Sequence, residues 1–247
     1  MSKEVVLITG GTGAIGAAMC AQFSSEGKTI AANCHPSDSD RSADVVREMA
    51  GKGVEIELCP FDVTDAAACQ SAIEDIESRI GPITIVVNAA GITRDAKLIK
   101  LEPAQWDAVL RTNLDGVYNV SRPVIGPMTS RGFGRIINIS SVNGQRGQIG
   151  QTNYSAAKAG MTGFTKALAR EVARDGITVN SVSPGYVQSP MIQAVPEKVR
   201  DKIVQQIPVG RFAEPEEIAR AVSFLASADS GYITGTDLSV NGGYHIG

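Results

Sequence analysis

The chain reads as an α/β protein built on a doubly wound parallel sheet of seven strands, and three features of the sequence predict this. Short runs rich in Val and Ile recur along the 247 residues, each run is apolar throughout rather than alternating, and helix-forming segments that end on glycine lie between them. Uninterrupted apolar runs suit strands buried on both faces, as a helix-covered parallel sheet requires. Strand and helix taken in turn give the doubly wound arrangement.

The seven runs are EVVLIT at 4–9, KTIAAN at 28–33, VEIELCPFDV at 54–63, ITIVVNAAG at 83–91, RIINISS at 135–141, ITVNSVSPG at 177–185 and TDLSVNGG at 236–243. Between them, AAMCAQFSSEG at 17–27 and DAAACQSAIEDIESRIG at 65–81 carry helix formers and stop at glycine, a common helix C-terminus. The rhythm breaks once. The stretch 185–217 holds four prolines and is too long for a tight strand-to-helix loop. It predicts a small helical insertion at about 188–210, over the carboxyl ends of the strands, where it would serve as a substrate lid. No linker or low-complexity segment divides the chain, so one domain over 1–247 is expected.

Composition narrows the partners. With 43% hydrophobic and 20% charged residues and a formal net charge of -3, the chain offers no basic field to nucleic acid and no charged block to a membrane surface. No apolar run approaches the roughly 20 residues of a membrane helix. The segment MSKE leads straight into the first strand without a signal-peptide pattern, so a cytoplasmic protein is expected. Cys20, Cys34, Cys59 and Cys69 form no C-x-x-C pair, and His35 and His245 lie far from metal-ligand spacing. We expect buried, inert thiols and no metal.

The turn after the first strand, TGGTGAIG, places Gly11, Gly13 and Gly16 in a G-x-G-x-x-G pattern between strand and helix. Such glycines let the backbone approach a pyrophosphate, and the helix N-terminus offers free N–H groups and the positive end of its dipole. The cofactor contacts expected here are Gly10, Gly13, Ala14, Ile15 and Gly16. Asp62 and Val63 at the end of the third strand and Asn88, Ala89, Ala90 and Gly91 at the end of the fourth would continue the site, although Asp62 could instead cap the helix starting near Asp65. The second strand ends without the acid that accepts from an NAD ribose. Arg41 could pair with a 2′-phosphate, but Asp38 and Asp40 beside it would repel one. The cofactor is therefore NAD(H) or NADP(H), with the acids tilting the reading toward NAD(H).

A Tyr and a Lys four residues apart, Tyr154 and Lys158, share one helix face just downstream of Ser141. A nearby ammonium, with an oxidised nicotinamide, would bring the phenol down from its ordinary value near 10 and make Tyr154 an acid/base catalyst. Ser141, at a strand end, can donate to the same substrate oxygen.

With TGGTGAIG, NAAG, Asn113 in RTNLDG, Ser141, the segment from Tyr154 to Lys158, SPGYVQS and the terminal NGG, the chain resembles the short-chain dehydrogenases/reductases over its whole length. The resemblance implies a Rossmann-type fold and a homotetramer. It also implies that Asn113 holds a water linking Lys158 to solvent, that Lys158 binds the nicotinamide ribose, and that Pro184, Gly185, Val187 and Ser189 lie along the nicotinamide. Two positions depart from the family pattern, Ala14 for a glycine and Ser189 for a threonine, and both keep the required size or hydroxyl.

Within the family, the loop at 142–155 and the end NGGYHIG are similar to the acetoacetyl-CoA reductases of polyhydroxybutyrate synthesis. That similarity implies an acyl-CoA substrate contacted by Gln148, Gln151 and Tyr186 as well as by Ser141 and Tyr154. The two glutamines could equally stabilise the loop. A carrier-protein reductase performing the same chemistry is the nearest alternative, with Arg131 and Arg174 as its docking cations. A non-catalytic redox sensor would not need Ser141, Tyr154 and Lys158 together.

Overall fold

A computed structural model describes residues 4–193 and 195–247. Residues 1–3 of the expected domain and Ala194 of the expected lid lie outside the described residues. All seven anticipated strands are present: β1 (Val5–Thr9), β2 (Thr29–Cys34), β3 (Glu57–Pro60), β4 (Ile83–Asn88), β5 (Gly134–Ile139), β6 (Ile177–Pro184) and β7 (Asp237–Val240). They form one sheet in the order β3-β2-β1-β4-β5-β6-β7, and every pairing is parallel. The strand order reverses between β1 and β4, which opens a crevice at their carboxyl ends.

The helices are α1 (Ala14–Ser25), α2 (Ser39–Ala50), α3 (Ala66–Arg79), α4 (Pro103–Leu110), α5 (Gly116–Arg131), α6 (Val142–Arg146), α7 (Thr152–Val172), α8 (Pro190–Gln193), α9 (Glu197–Val204) and α10 (Pro215–Ala226). One core lies between the sheet and α1 with α10, around Phe23, Met19, Ile30 and Val222. The other lies under α3, α5 and α7, around Leu7, Ile76, Met128 and Ile136.

Continuous burial holds for β1, β4, β5 and β6, every residue of which is buried. It fails at the sheet edges, where Glu57 and Pro60 of β3 and Ser239 of β7 are exposed. An edge strand has a neighbour on one side only, and an apolar run cannot report that position.

The break after β6 is the expected helical excursion. Helices α8 and α9 occupy it, and its base is closed by a bridge between Val187 and Ala213, with Gln188 N–H donating to the Ala213 carbonyl at 2.8 Å. Val209 N–H donates to the Gly242 carbonyl at 3.1 Å, which fastens the return path beside the end of β7.

All four cysteines are buried and free. Burial pushes the thiols of Cys20 and Cys69 up to about 12 and that of Cys59 to about 11, so these three are protonated and inert at neutral pH. Among the described residues no helix is long and apolar enough to cross a membrane.

Phe23 is 1% exposed and joins α1 to the sheet. Phe23→Ala should cost about 3–5 kcal/mol in urea-induced unfolding; an unchanged midpoint would show that this packing does not carry the α1 face.

Candidate active site

The glycine turn is shaped by close backbone approach. Gly10 has φ +63°, and a Cβ there would stand 3.0 Å from the Ala90 Cα. A Cβ on Gly16 would collide with the Gly10 carbonyl and come within 2.8 Å of the Gly11 Cα. The loop is braced from the second strand, since Asn33 accepts from Gly11 N–H through its carbonyl at 2.9 Å and from Gly10 N–H through Oδ1 at 3.3 Å. Gly13 caps α1 with no side-chain hydrogen bond, leaving the amides of Ala14, Ile15 and Gly16 without helical acceptors at the positive end of the helix.

A cavity of about 820 Å³ runs from this turn along the carboxyl ends of β2, β3 and β4. Of the anticipated cofactor residues, Gly10, Gly13, Arg41, Asp62, Val63, Ala89, Ala90 and Gly91 line it. Ala14, Ile15 and Gly16 form the start of α1 behind the turn. Asn88 does not line it: its side chain turns inward and donates to Asn138 Oδ1 at 2.8 Å and Ser121 Oγ at 3.2 Å, joining β4, β5 and α5. Pro184, Gly185, Val187 and Ser189 lie apart from it, at the tip of β6 and the start of the excursion. There Gly185 N–H donates to the Val240 carbonyl at 2.9 Å, and a Cβ on Gly185 would press within 2.8 Å of the Asn241 Cα. Ser189 Oγ accepts from Ile192 N–H at 3.3 Å and so turns the chain into α8.

The alternative for Asp62 is resolved. Asp65 caps α3, accepting from the amides of Ala67 and Ala68 at 2.9 and 3.0 Å, while Asp62 accepts from Thr64 N–H at 2.8 Å and faces the cavity. Partial burial would raise the Asp62 carboxyl, but hydrogen bonds from Thr64 and the nearby His35, 3.5 Å away, outweigh it and hold the group below its ordinary value. At neutral pH it is an ionised acceptor. Asp38 and Arg41 both line the cavity beyond β2, whereas Asp40 is exposed and off it, so one of the two expected acids faces the cavity.

Volume, unpaired α1 amides and a carboxylate acceptor at the far end together fit a dinucleotide, pyrophosphate on the turn and adenosine toward Asp62. Thr9 completes the frame and was not anticipated. Its Oγ1 accepts from the amides of both Ala89 and Ala90, at 3.0 and 3.1 Å, and joins the tips of β1 and β4. A polar residue ending the apolar run of β1 is the only trace of this in the sequence.

Beyond the cavity, β5 and α7 bring the anticipated catalytic residues together. Ser141 ends the β5 run and caps α6, its Oγ accepting from Asn143 N–H at 3.1 Å. Its own proton is thereby left to donate. Lys158 is buried and, among the described residues, makes no ion pair; Nζ donates to the Ile139 carbonyl at 2.7 Å and lies 5.6 Å from the centre of the Tyr154 ring. Desolvation pushes its ammonium down from 10.5 to about 7. Burial also raises the Tyr154 hydroxyl, a hydrogen bond with Ser141 pulls it partly back, and the charge of Asp95 adds to the rise.

The expectation that Lys158 lowers the phenol is therefore not met in the protein alone. Desolvation of the ring outweighs the hydrogen bond from Ser141 and keeps the hydroxyl above its ordinary value.

Asn113 is fully buried in a wide π-helical turn, Arg111–Asp115, between α4 and α5. It brackets Ile92, accepting from its N–H at 3.2 Å and donating to its carbonyl at 2.9 Å, and also donates to the Val109 carbonyl. A Cβ on Gly91 would stand 2.5 Å from Asn113 Oδ1 and 3.6 Å from Lys158 Nζ. Glycine at that position keeps open the space between the two groups.

Of the expected substrate contacts, Gln151 is spoken for at both ends: Oε1 accepts from Asn143 Nδ2 and Nε2 donates to Asp95 Oδ2, each at 2.9 Å. Gln148 is half-buried in the same loop. The Tyr186 ring packs against Phe212 and edge-on to Tyr244, with centres 6.1 and 5.4 Å apart. Arg131 and Arg174 lie at the opposite, amino-terminal edge of the sheet. Arg131 pairs with Glu77 at 2.9 Å and donates to the Ile83 carbonyl at the start of β4, and Arg174 sits in the turn before β6. Neither lies beside the site of its own chain.

A family model described as enoyl-(acyl carrier protein) reductase matches residues 11–245, and the chain belongs to this family of short-chain dehydrogenases/reductases. It is an NAD(P)H-dependent oxidoreductase, with a nicotinamide dinucleotide as its cofactor. The chain is 51% identical over 240 residues to an acetoacetyl-CoA reductase of Allochromatium vinosum, covering 97% of this chain and 98% of the relative. It is 46% identical to an acetoacetyl-CoA reductase of Cupriavidus necator and 42% identical to a 3-oxoacyl-(acyl-carrier-protein) reductase of Haemophilus influenzae, each over the full length of both chains.

Gly16→Ala should weaken dinucleotide binding at least about tenfold in a fluorescence titration, because the turn must open to admit the methyl group. Unchanged binding would mean that the turn is not the pyrophosphate site.

Proposed function

We propose that the protein reduces acetoacetyl-CoA to (R)-3-hydroxybutyryl-CoA, with NADH preferred to NADPH. The observation that carries the reading is the meeting of Ser141, Tyr154 and Lys158 beside the dinucleotide cavity, in a chain about half identical to acetoacetyl-CoA reductases. The turn at Gly10–Gly16 would hold the pyrophosphate; Asp62 and Val63 the adenosine; Ala90, Gly91, Lys158 and the Pro184–Ser189 segment the nicotinamide half. Reduced nicotinamide, when bound, supplies a hydride to the C3 ketone.

The protein supplies everything else. Ser141 donates its free hydroxyl proton as a hydrogen bond to the ketone oxygen and stabilises the charge that grows there. Tyr154, kept protonated by burial, gives its proton to the developing alkoxide. Lys158, whose ammonium titrates near neutrality, returns a proton to the phenolate, and Asn113, which faces it across Gly91, would hold the water of a relay. The excursion with α8 and α9 closes over the acyl group, and the protein assembles as a tetramer in solution. Exposed Arg94, Lys97 and Lys100, in the segment joined to the 150 loop by the 2.9 Å bond from Ala96 N–H to Gly150, suit the phosphates of CoA.

Tyr154→Phe should lower turnover of acetoacetyl-CoA at least about a hundredfold while dinucleotide affinity stays within about twofold. Retained turnover would remove Tyr154 as the acid. Parallel assays with the acetoacetyl thioester of an acyl carrier protein separate the two substrate readings, with CoA expected to give the higher kcat/KM.

Asp38 lines the cavity beyond β2, and this supports the reading that it would repel an adenosine 2′-phosphate. Asp38→Asn should raise the NADPH-to-NADH ratio of kcat/KM about fivefold, corresponding to roughly 1 kcal/mol of relieved repulsion, and Asp40→Asn should not. An unchanged ratio in Asp38→Asn would set aside the preference for NADH.

A further inference from the structure

A line of hydrogen bonds leads away from Ser141. Its Oγ accepts from Asn143 N–H at 3.1 Å; the Asn143 side-chain amide donates to Gln151 Oε1 at 2.9 Å; and Gln151 Nε2 donates to Asp95 Oδ2 at 2.9 Å. The line crosses three segments, α6, the loop before α7, and the loop after β4. It also ends on a carboxyl group. A second bond between the loops, from Ala96 N–H to the Gly150 carbonyl at 2.9 Å, holds Asp95 and Gln151 in register. Asp95 itself is exposed, so no burial requirement accounts for an acid there.

We propose that Asp95 is a positioning residue: through Gln151 and Asn143 it orients Ser141. The carboxylate can only accept, which fixes the Gln151 amide with nitrogen toward Asp95 and oxygen toward Asn143. Asn143 is then fixed as donor to Gln151, and its backbone N–H is held on Ser141 Oγ. The serine hydroxyl has one lone pair occupied and its proton directed to the substrate.

The same carboxylate is the acid that bears on Tyr154, and its field opposes formation of a phenolate. Lys158 on α7 is the other charged group facing the ring. Arg146 on α6 is turned away, with its guanidinium 4.4 Å over the Tyr244 ring, and Arg94 beside Asp95 donates to the Thr93 carbonyl. This inference rests on Tyr154 and Ser141 having the roles proposed above.

The test compares Asp95→Asn, which keeps an acceptor but no charge, with Asp95→Ala, which keeps neither. In the reductive direction activity is lost as Tyr154 gives up its proton on the alkaline side, and removing a negative neighbour makes that proton easier to lose. Both variants should therefore move the alkaline limb of the pH profile to lower pH at low ionic strength. Added salt should bring the wild-type limb toward that of Asp95→Asn.

Only Asp95→Ala should also lower kcat, about tenfold, with dinucleotide affinity unchanged, because Ser141 then loses its orientation. An unmoved limb in Asp95→Asn overturns the role of the charge, and equal kcat in the two variants overturns the positioning. Phenolate absorbance, taken as the difference between each protein and its Tyr154→Phe counterpart, reports the shift without any substrate. It distinguishes failure of this inference from failure of the acetoacetyl-CoA reading.

Discussion

A lysine ammonium buried, among the described residues, without an acid to pair with it is the constraint around which the half of the molecule that holds Ser141 and Tyr154 is arranged. Lys158 meets it with one strong acceptor, the Ile139 carbonyl at the end of β5, and with close packing on either side. Gly144 lets α6 press on α7 there, since a Cβ would lie 2.9 Å from the Lys158 Cβ, and Ser140 Oγ donates to the Lys158 carbonyl at 3.0 Å. Gly91 and Asn113 close the remaining side. An uncompensated charge in such a place gives way by losing its proton more readily, which is why the group titrates near neutrality.

The dinucleotide half is built differently. Its wall is largely backbone: glycines that admit close approach, helix amides left without acceptors, and strand tips joined by Thr9 and Asn33. Side chains enter at the far end, where Asp62, Asp38 and Arg41 meet the adenosine region. In the proposed function the first half carries the chemistry and the second the choice of cofactor. They share the segment Ala89–Gly91 at the end of β4, so the switch point of the sheet is also where the two functions join.

Periodicity alone marked every strand and the helical excursion, because burial on both faces leaves continuous apolar runs and proline breaks them. It could not mark β3 and β7 as exposed edges, since strand order is a property of the whole chain. The triad of Ser141, Tyr154 and Lys158 was legible through the four-residue spacing on one helix and the strand-end serine. The inward turn of the Asn88 side chain could not be read, for an asparagine at a strand tip looks the same whether it turns to the cavity or into the core. Asp95 and Asn143 left no local pattern, because their link through Gln151 joins segments some fifty residues apart. The direction of the Tyr154 shift was also hidden: charge neighbours can be guessed from spacing, but desolvation depends on how deeply the finished fold buries the ring.

The central claim, that Lys158 is an unpaired buried cation poised near neutrality, is tested most directly by NMR titration of lysine side chains in the ligand-free protein. The signal absent from Lys158→Met should titrate at about 7, apart from all the others. A Lys158 signal that titrates with the surface lysines, near the ordinary value of 10.5, would contradict the account and leave Tyr154 without the proton donor behind it.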